Sequence, residues 1–229
     1  MTIQTLSEKK EAIQLLMKYA VPADQMPEAL KLLDHFQDDP IAANLLHAFY
    51  SYLPEGLDDN VRSIRTLARR QGSFLLGAIT TRAAYLYLVT VDKAEFLGNT
   101  STGIWEKEVL NFFELGDRET HLKQLEDLTK FPEHRPALQD EKTCPACAVG
   151  DGEKHVLGCP VEVCPWCGGQ LTSCHCRFEK LDRDHILGER ELKAFEEKLA
   201  AKGRIPYDSA QHRPAYPSAG EATGPASTN

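Results

Sequence analysis

The chain has 229 residues, of which 42% are hydrophobic, and its 34 acidic and 26 basic side chains give a net charge of −8. This length suits one large domain or two modest ones, and the negative charge argues against a protein that coats nucleic acid or anionic membrane by bulk attraction. No stretch reaches the roughly 18 apolar residues of a membrane span, and residues 1–14 lack the features of a signal peptide, so we expect a cytoplasmic protein.

The first sixty residues predict three helices. Thr5 and Glu8 have the spacing of a capping box, and an apolar stripe follows them until Pro22. Pro27 can open a second short helix, and Asp39 followed by proline is typical of an N-cap and a first helical residue. Each segment carries its apolar residues along one side, as helices that share a core do.

Residues 61–70 predict a fourth helix with a marked charge pattern. Its arginines fall at helical spacing: Arg62, Arg65 and Arg69, with Arg70 adjacent. They could form a patch that contacts phosphate or an acidic partner. The alternative, which we favour, is the solvated face of an amphipathic helix whose charges are balanced by nearby acids.

The periodicity then changes from helix to strand. Three segments rich in apolar, aromatic and β-branched residues predict a small antiparallel sheet: 73–80, 85–91 and 93–97. Gly77 inside the first strand indicates a bulge or a close contact. Helices return with Ser101 or Thr102 as N-cap, and Asp117 starts the next one.

A polar segment with two prolines, 132–142, predicts a linker. Residues 1–131 are therefore expected to form a helical α+β domain with a small antiparallel sheet. Three lone histidines on its helical stretches are the candidates if this domain is an enzyme: His35, His47 and His121. Such histidines are more often packed or surface residues, and no catalytic motif accompanies them.

All seven cysteines fall between residues 144 and 176, in about one seventh of the chain. An odd, clustered set in a reducing compartment indicates metal binding and not a disulfide framework. Two Cys-x-x-Cys pairs lie 16 residues apart, which is typical of zinc sites built from paired knuckles. Proline after the first cysteine of each pair fixes a turn, and glycine after the second pair allows a positive φ.

Seven cysteines and His155 make eight ligands, enough for two closed tetrahedral sites. The candidates are Cys144, Cys147, His155, Cys159, Cys164, Cys167, Cys174 and Cys176. In a sequential pairing the first four bind one ion and the last four a second; in an interleaved pairing both Cys-x-x-Cys pairs share one ion. We favour the sequential pairing, because residues 168–173 can fold back on their own knuckle. His175, in an extended stretch, would face away from its cysteine neighbours.

Iron–sulfur clusters also use four cysteines, but the mixed cysteine and histidine set favours zinc. The segment Cys144–Cys176, above all HVLGCPVEVCPWCGGQLTSCHC, resembles a zinc-ribbon-type module with two Cys-Pro-x-Cys knuckles, seen in bacterial proteins of unassigned function. The resemblance implies zinc and a bacterial or phage origin, and it implies no activity. It covers about 33 residues, and the N-terminal domain resembles no family that we recognise.

Beyond the cysteines, Gly188–Lys202 has the apolar stripe of a helix, and Gly203 ends it. We therefore expect a zinc-binding module with a closing helix over residues 143–203. Proline, serine, alanine and glycine then predominate, which predicts a disordered tail over residues 204–229. Residues 142–188 carry a charge of −1 against −7 for residues 1–141, so the module has no basic surplus.

These features favour a zinc-stabilised accessory or regulatory protein that binds a protein partner and is not catalytic. The module is too small for a large apolar core, so metal binding would supply its folding energy. One alternative is nucleic-acid binding through the Arg62–Arg70 helix and the module, which the missing basic surplus disfavours. The other is an enzyme with an unrecognised site in the N-terminal domain.

Overall fold

The computed structural model describes residues 5–54, 56–136, 142–186 and 188–211. In these residues the helices and strands are α1 (Leu6–Ala20), α2 (Met26–His35), α3 (Pro40–Tyr52), β1 (Val61–Arg70), β2 (Ser73–Thr80), β3 (Ala84–Val89), β4 (Ala94–Asn99), α4 (Lys107–Phe112), α5 (Arg118–Gln124), α6 (Cys176–Leu181) and α7 (Glu189–Lys202). The strands form one antiparallel sheet in the order β1-β2-β3-β4, so the predicted α+β class is confirmed. Within these ranges, no helix combines the length and apolarity that a bilayer crossing requires.

The N-terminal helices begin at the predicted caps. Thr5 Oγ1 accepts a hydrogen bond from the Glu8 amide, and the Glu8 carboxylate accepts one from the Thr5 amide. The two carboxylate oxygens of Asp39 accept from amides in the first turn of α3. These bonds satisfy amides that have no partner inside the helix. The helices α1, α2 and α3 then bury their apolar sides against one face of the sheet.

Alternate residues of β2 point to opposite faces of the sheet, and each face has its own core. Phe74 and Leu76 pack with the N-terminal helices, whereas Leu75 packs in a second core beneath α4 and α5. The close contact predicted at Gly77 is confirmed, because a Cβ on this residue would lie 2.6 Å from Leu128 Cδ1. Glycine therefore lets the segment after α5 approach the sheet.

The predicted helix over residues 61–70 is wrong, since these residues form β1 and pair with β2. The pairing is irregular at two places, between Val61 and Ser63 and between Thr66 and Ala68. Such bulges interrupt the alternation of a strand. The buried residues Val61 and Ile64 consequently fall three apart, which is also the spacing of a helix.

The turn after β1 explains why a strand forms here. Gln71 has a φ of 49° and Gly72 a φ of 73°. Two consecutive residues with positive φ are typical of the tight turn that joins two hairpin strands. A helix over residues 61–70 would leave the apolar β2 segment without this partner.

The first turn of α4 also differs from the prediction. Ser101 and Thr102 lie in the turn after β4, where their amides donate to the Asn99 side chain and carbonyl, and α4 begins only at Lys107. Asp117 does cap α5, since its carboxylate accepts from the Thr120 amide at 2.8 Å.

Residues 132–134, the first part of the predicted linker over 132–142, form backbone hydrogen bonds with β1. The Thr66 amide donates to the Pro132 carbonyl at 3.0 Å, and the His134 amide donates to the Ile64 carbonyl at 2.9 Å. This segment therefore covers part of the free edge of β1. Residues 137–141 lie outside the described residues.

The predicted tail begins too early. Tyr207 is only 4% exposed; its amide donates to the Glu153 carbonyl, and its carbonyl accepts from the Gly152 amide. We call residues 204–211 the C-terminal strap. This buried ring, the hydrogen bonds of Arg204 and those of Ser209 to Asp151 fix a segment whose composition otherwise predicts disorder. The remaining part of the predicted tail, 212–229, lies outside the described residues.

Candidate metal centres

The two Cys-x-x-Cys pairs fold into the same turn. In the first, the Ala148 amide donates to the Cys144 carbonyl at 2.9 Å; in the second, the Gly168 amide donates to the Cys164 carbonyl at 2.9 Å. The amide of the first cysteine also donates across each turn, to Val149 or to Gly169. Each turn thus directs two sulfurs to the same side, which is the arrangement of a zinc knuckle.

Both turns need a positive φ directly after the second cysteine. Gly168 has a φ of 75° there, as the sequence predicts, and Ala148 has a φ of 58°. Alanine is disfavoured in this conformation. Ala148 is fully buried and its carbonyl accepts a 2.8 Å hydrogen bond from Arg69, so surrounding contacts stabilise the strained turn.

The first candidate site, site 1, brings together Cys144, Cys147, His155 and Cys159, whose donor atoms lie within 4.8 Å of one another. Two of these distances are 3.8 Å between the sulfurs of Cys144 and Cys159 and 3.4 Å between Cys147 Sγ and His155 Nδ1. In a tetrahedral zinc site, two sulfurs lie about 3.8 Å apart and a sulfur and a nitrogen about 3.5 Å apart. The donors therefore already have the spacing of zinc ligands, and all four residues are buried.

The site 1 donors shift one another's pKa values, because their side chains lie within hydrogen-bonding distance of one another. Hydrogen bonds with Cys147 and Cys159 lower the pKa of the Cys144 thiol, while hydrogen bonds with Cys144 and Cys147 raise the pKa of the Cys159 thiol. Burial opposes a charge on His155, but its hydrogen bonds with Cys144 and Cys147 prevail and raise its pKa to about 9. Zinc takes thiolates and neutral imidazole, so a bound ion would displace the protons that these groups share.

The β1–β2 turn packs directly on site 1. A Cβ added to Gly72 would lie 2.4 Å from the Cys147 carbonyl oxygen. The neighbouring Gln71 amide donates to Glu153 at 2.9 Å, and the same carboxylate accepts from the Gly150 amide at 2.7 Å. Arg69, near the end of β1, donates to the Thr143 hydroxyl and to the Ala148 carbonyl. The N-terminal sheet and the first knuckle therefore form one continuous structure.

The C-terminal strap closes the other side of site 1. The Tyr207 ring packs edge-on to the His155 ring, with centroids 5.3 Å apart. Arg204 donates to the His155 carbonyl at 2.6 Å and to the buried Glu162 carboxylate at 2.7 Å. Burial raises the pKa of Glu162, and Arg204 opposes this shift. The strap thereby fixes the loop that carries the histidine ligand.

The second candidate site, site 2, consists of Cys164, Cys167, Cys174 and Cys176, again with donor atoms within 4.8 Å. It is more open than site 1: Cys164 is buried, Cys167 is exposed, and the other two are intermediate. Its apolar support comes from α7, whose Phe195 and Leu199 pack with Cys164 and Leu171.

His175 belongs to neither group of donors and is exposed. Its backbone is helical, with a φ of −80° and a ψ of −12° as N-cap of α6, so the extended stretch predicted for residues 174–176 is wrong. Cys174 and Cys176 converge because they flank the start of a helix. Hydrogen bonding to Cys167 and then burial raise the pKa of the Cys176 thiol to about 12. The grouping of donors corresponds to the sequential pairing.

The four arginines of β1 do not form one free patch. Arg62 is exposed, but the others contact groups of their own chain. These contacts join Arg65 to Glu133, Arg69 to Ala148, and Arg70 to Glu114. Their guanidinium groups stabilise the connections of β1 with its neighbours.

The three histidines considered as enzyme candidates lie on three different helices. His35 is exposed at the end of α2 and packs edge-on to Phe36. Burial, and then the nearby charge of Lys9, lower the pKa of His47. Burial likewise lowers the pKa of His121, which is 1% exposed. Each has the environment of a packed or surface residue.

Sequence reasoning missed a buried polar array around His134, in the segment taken for a linker. Its Nε2 lies 2.8 Å from Asp39 Oδ2, and its Nδ1 lies 3.1 Å from Thr66 Oγ1. The order of groups is that of a hydrolase triad, but Asp39 is 0% and His134 3% exposed, and Asp39 also caps α3. We therefore interpret the array as structural. The sequence pattern identified Asp39 as a helix cap, but it could not identify His134 as its partner, because the two residues are 95 positions apart.

Substituting Gly72 by alanine is expected to destabilise the protein by at least about 2 kcal/mol. The change adds the strain of a positive φ and a clash with the Cys147 backbone, which together cost this order of free energy. Gly116→Ala is the matched control, because Gly116 has a φ of 79° and nothing within 4 Å of an added Cβ. Urea unfolding measures both variants, and equal losses would show that the packing of the turn on site 1 contributes little.

Comparisons of the chain with protein-family models, curated proteins and solved structures find no match. The likeness of Cys144–Cys176 to zinc-ribbon-type modules stays a resemblance of motifs. Two cysteine-rich clusters that could hold metal ions are therefore the features from which a function can be inferred.

Proposed function

We propose that this protein is a non-catalytic accessory or regulatory protein of the cytoplasm, stabilised by two structural zinc ions, that binds a protein partner. The carrying observation is the donor set: two groups of four side chains each have their donor atoms within 4.8 Å of one another, and two donor distances in site 1 match those of a tetrahedral zinc site. A catalytic zinc ion keeps one position open for water or substrate. Four protein ligands at each site favour a structural role.

The proposed ions would have different tasks. At site 1, zinc would join the first knuckle to the loop carrying His155, on which the β1–β2 turn and the C-terminal strap pack. At site 2, zinc would fix α6 and the second knuckle on α7. Because this part of the chain has only small apolar clusters, metal binding would contribute much of its folding free energy.

The surface of the second knuckle supports a protein partner over a nucleic acid. Gly168 and Gly169 are exposed at its tip, and Leu192 on the neighbouring α7 is 43% exposed. The zinc-bound Cys₄ site would add negative charge here. The arginines that could have offered a phosphate-binding patch mostly contact their own chain.

Metal content tests the structural part of the proposal. Native mass spectrometry of the full chain, expressed with zinc, is expected to find two zinc ions per chain. A single ion per chain would mean that four of the eight side chains do not bind metal. A coloured protein that contains iron would contradict the zinc assignment.

The two ions are also expected to leave at different rates. Site 2 exposes Cys167, whereas every ligand of site 1 is buried, so chelators should remove one equivalent roughly tenfold faster, a difference of about 1.4 kcal/mol in activation free energy. Absorbance of a pyridylazo chelator follows the release. Cys176→Ser should abolish the fast phase and Cys159→Ser the slow one; the reverse assignment would contradict the difference in exposure.

A pair of surface substitutions tests the partner. Leu192→Glu should abolish the binding of the partner isolated with the zinc-loaded chain, because it places a charge in the proposed contact surface. Leu15→Glu is the control, since Leu15 is 54% exposed but lies on α1. Retained binding in Leu192→Glu, with two zinc ions bound, would exclude this surface; binding of DNA or RNA that weakens steeply with salt would favour the nucleic-acid alternative.

A further inference from the structure

Cys167 is exposed, whereas the other seven residues of sites 1 and 2 are buried or intermediate. The two residues that follow it, Gly168 and Gly169, are exposed as well. A Cβ added to Gly169 would lie 3.6 Å from Cys167 Sγ. Because glycine has no such atom, one approach from solvent to this sulfur stays uncovered.

Exposure and thiolate character together decide which cysteines of a protein are oxidised. Cysteines that bind zinc are deprotonated, so every sulfur of a zinc-loaded site would have thiolate character. Exposure then separates Cys167 from the buried Cys164 of the same site and from the buried cysteines of site 1. A small oxidant dissolved in water therefore reaches Cys167 first.

A second thiol lies close enough to Cys167 to complete a disulfide. The four sulfurs of site 2 lie within 4.8 Å of one another, and hydrogen bonding joins the Cys176 thiol to Cys167. Cys176 begins α6, a short helix whose residues are all exposed or intermediate. Sulfurs in a disulfide are about 2 Å apart, so a small movement of this weakly packed helix brings the two together.

We propose that Cys167 is a site of oxidation by hydroperoxides and that the product is a Cys167–Cys176 disulfide. The Cys167 thiolate attacks hydrogen peroxide: an S–O bond forms, the O–O bond breaks, and the leaving hydroxide takes up a proton to become water. The Cys176 thiolate then attacks the sulfur of this sulfenic acid. The S–S bond forms, the S–O bond breaks, and a second hydroxide leaves as water. The two cysteines together lose the two electrons that reduce the peroxide.

This inference rests on the proposed zinc ion at site 2. The disulfide removes two of the four donors, so the site can no longer hold the ion. The second knuckle would then lose its fixed position on α7, where Cys164 packs with Phe195 and Leu199. The proposed contact surface for the partner lies on this knuckle and on Leu192 of α7. Oxidation of Cys167 would thereby switch off partner binding while site 1 keeps its ion.

Native mass spectrometry of the full zinc-loaded chain tests the inference. After treatment with an equimolar amount of hydrogen peroxide, the chain should lose one zinc ion and two hydrogen atoms, and peptide mapping should find Cys167 joined to Cys176. Dithiothreitol with added zinc should restore the second ion. Retention of both ions, loss of both, or a disulfide that leaves out Cys167 would overturn the inference and leave two-zinc binding intact. Failure of the untreated chain to bind two ions would instead contradict the proposed function.

Two variants identify the sulfur at which oxidation begins. Cys167→His keeps a zinc ligand but removes the oxidisable atom, so this variant should bind two ions and release zinc to peroxide at least about tenfold more slowly. Gly169→Val should also slow the release, because its side chain covers the sulfur without changing a ligand. Unchanged rates in both variants, each with two ions bound, would show that oxidation begins elsewhere.

Hydrogen exchange measures the structural consequence. In the oxidised chain, the amides of α6 and α7 should lose protection by at least about tenfold, because the ion no longer fixes these helices to the knuckle. The strap and the β1–β2 turn pack on site 1 and should keep their protection. Unchanged protection of α6 and α7 in the oxidised chain would overturn the proposed switch.

Discussion

Replacing His155 by alanine is expected to remove one of the two proposed zinc ions and to destabilise the protein by about 5 kcal/mol or more, since structural zinc commonly contributes about 10–16 kcal/mol to the folding of the domain that binds it. Calorimetric unfolding and metal analysis of the purified variant measure the two effects. The expected loss is large because His155 Nδ1 faces Cys147 Sγ at 3.4 Å within a fully buried group of donors.

The effect should spread beyond the ligand itself. The His155 ring packs on Tyr207, and the His155 carbonyl accepts from Arg204. Loss of the ion would leave three buried thiols crowded together without a cation. We therefore expect protection of the strap and of the β1–β2 turn against hydrogen exchange to fall together, because both pack on this loop.

Two further variants separate metal binding from packing. His175→Ala should bind two zinc ions and lose less than about 0.5 kcal/mol, as exposed residues commonly do. His155→Cys replaces one zinc ligand by another and should recover two ions, because zinc accepts four thiolates as readily as three thiolates and an imidazole. Equal metal loss in His155→Ala and His175→Ala would show that the ligand assignment is wrong.

Local signals predicted much of this fold. The caps at Thr5, Asp39 and Asp117 depend on side-chain oxygens a few residues from the amides they satisfy, so the sequence pattern contains the whole interaction. The knuckle turns and the β2–β3 hairpin were also predicted, because their hydrogen bonds join residues that are close in the sequence. The convergence of the donors into two groups also follows from short loops between the ligands.

Other features depended on contacts that no local pattern contains. The bulges in β1 gave its apolar residues a helical spacing, and only the pairing with β2 decides for a strand. Tyr207 helps to order the C-terminal strap by burying its ring against a loop more than fifty residues earlier, as do the hydrogen bonds of Arg204 to the same region. The close approach of Gly72 to Cys147 likewise joins parts of the chain that the sequence suggested were separate domains.

The Asp39→Ala variant is expected to lose about 2–4 kcal/mol of its free energy of unfolding, although Asp39 lies outside both metal centres. Its carboxylate accepts from the Ile41 and Ala42 amides of α3 and contacts His134 Nε2 at 2.8 Å. Removing a helix cap costs about 1 kcal/mol, and leaving a buried imidazole without an acceptor adds about 1–3 kcal/mol. Chemical denaturation followed by far-UV circular dichroism measures the loss.

Asp117→Ala is the matched control for this loss. Asp117 caps α5 through the same kind of bond, to the Thr120 amide at 2.8 Å, but at an exposed position, so its removal should cost about 1 kcal/mol. The excess loss in Asp39→Ala measures the His134 contact. Both variants should still bind two zinc ions, since neither aspartate belongs to a donor group. If Asp39→Ala lost no more than Asp117→Ala, the array that connects α3, β1 and residues 132–134 would contribute little to the fold, and the hydrolase-like order of its groups would call for a different explanation.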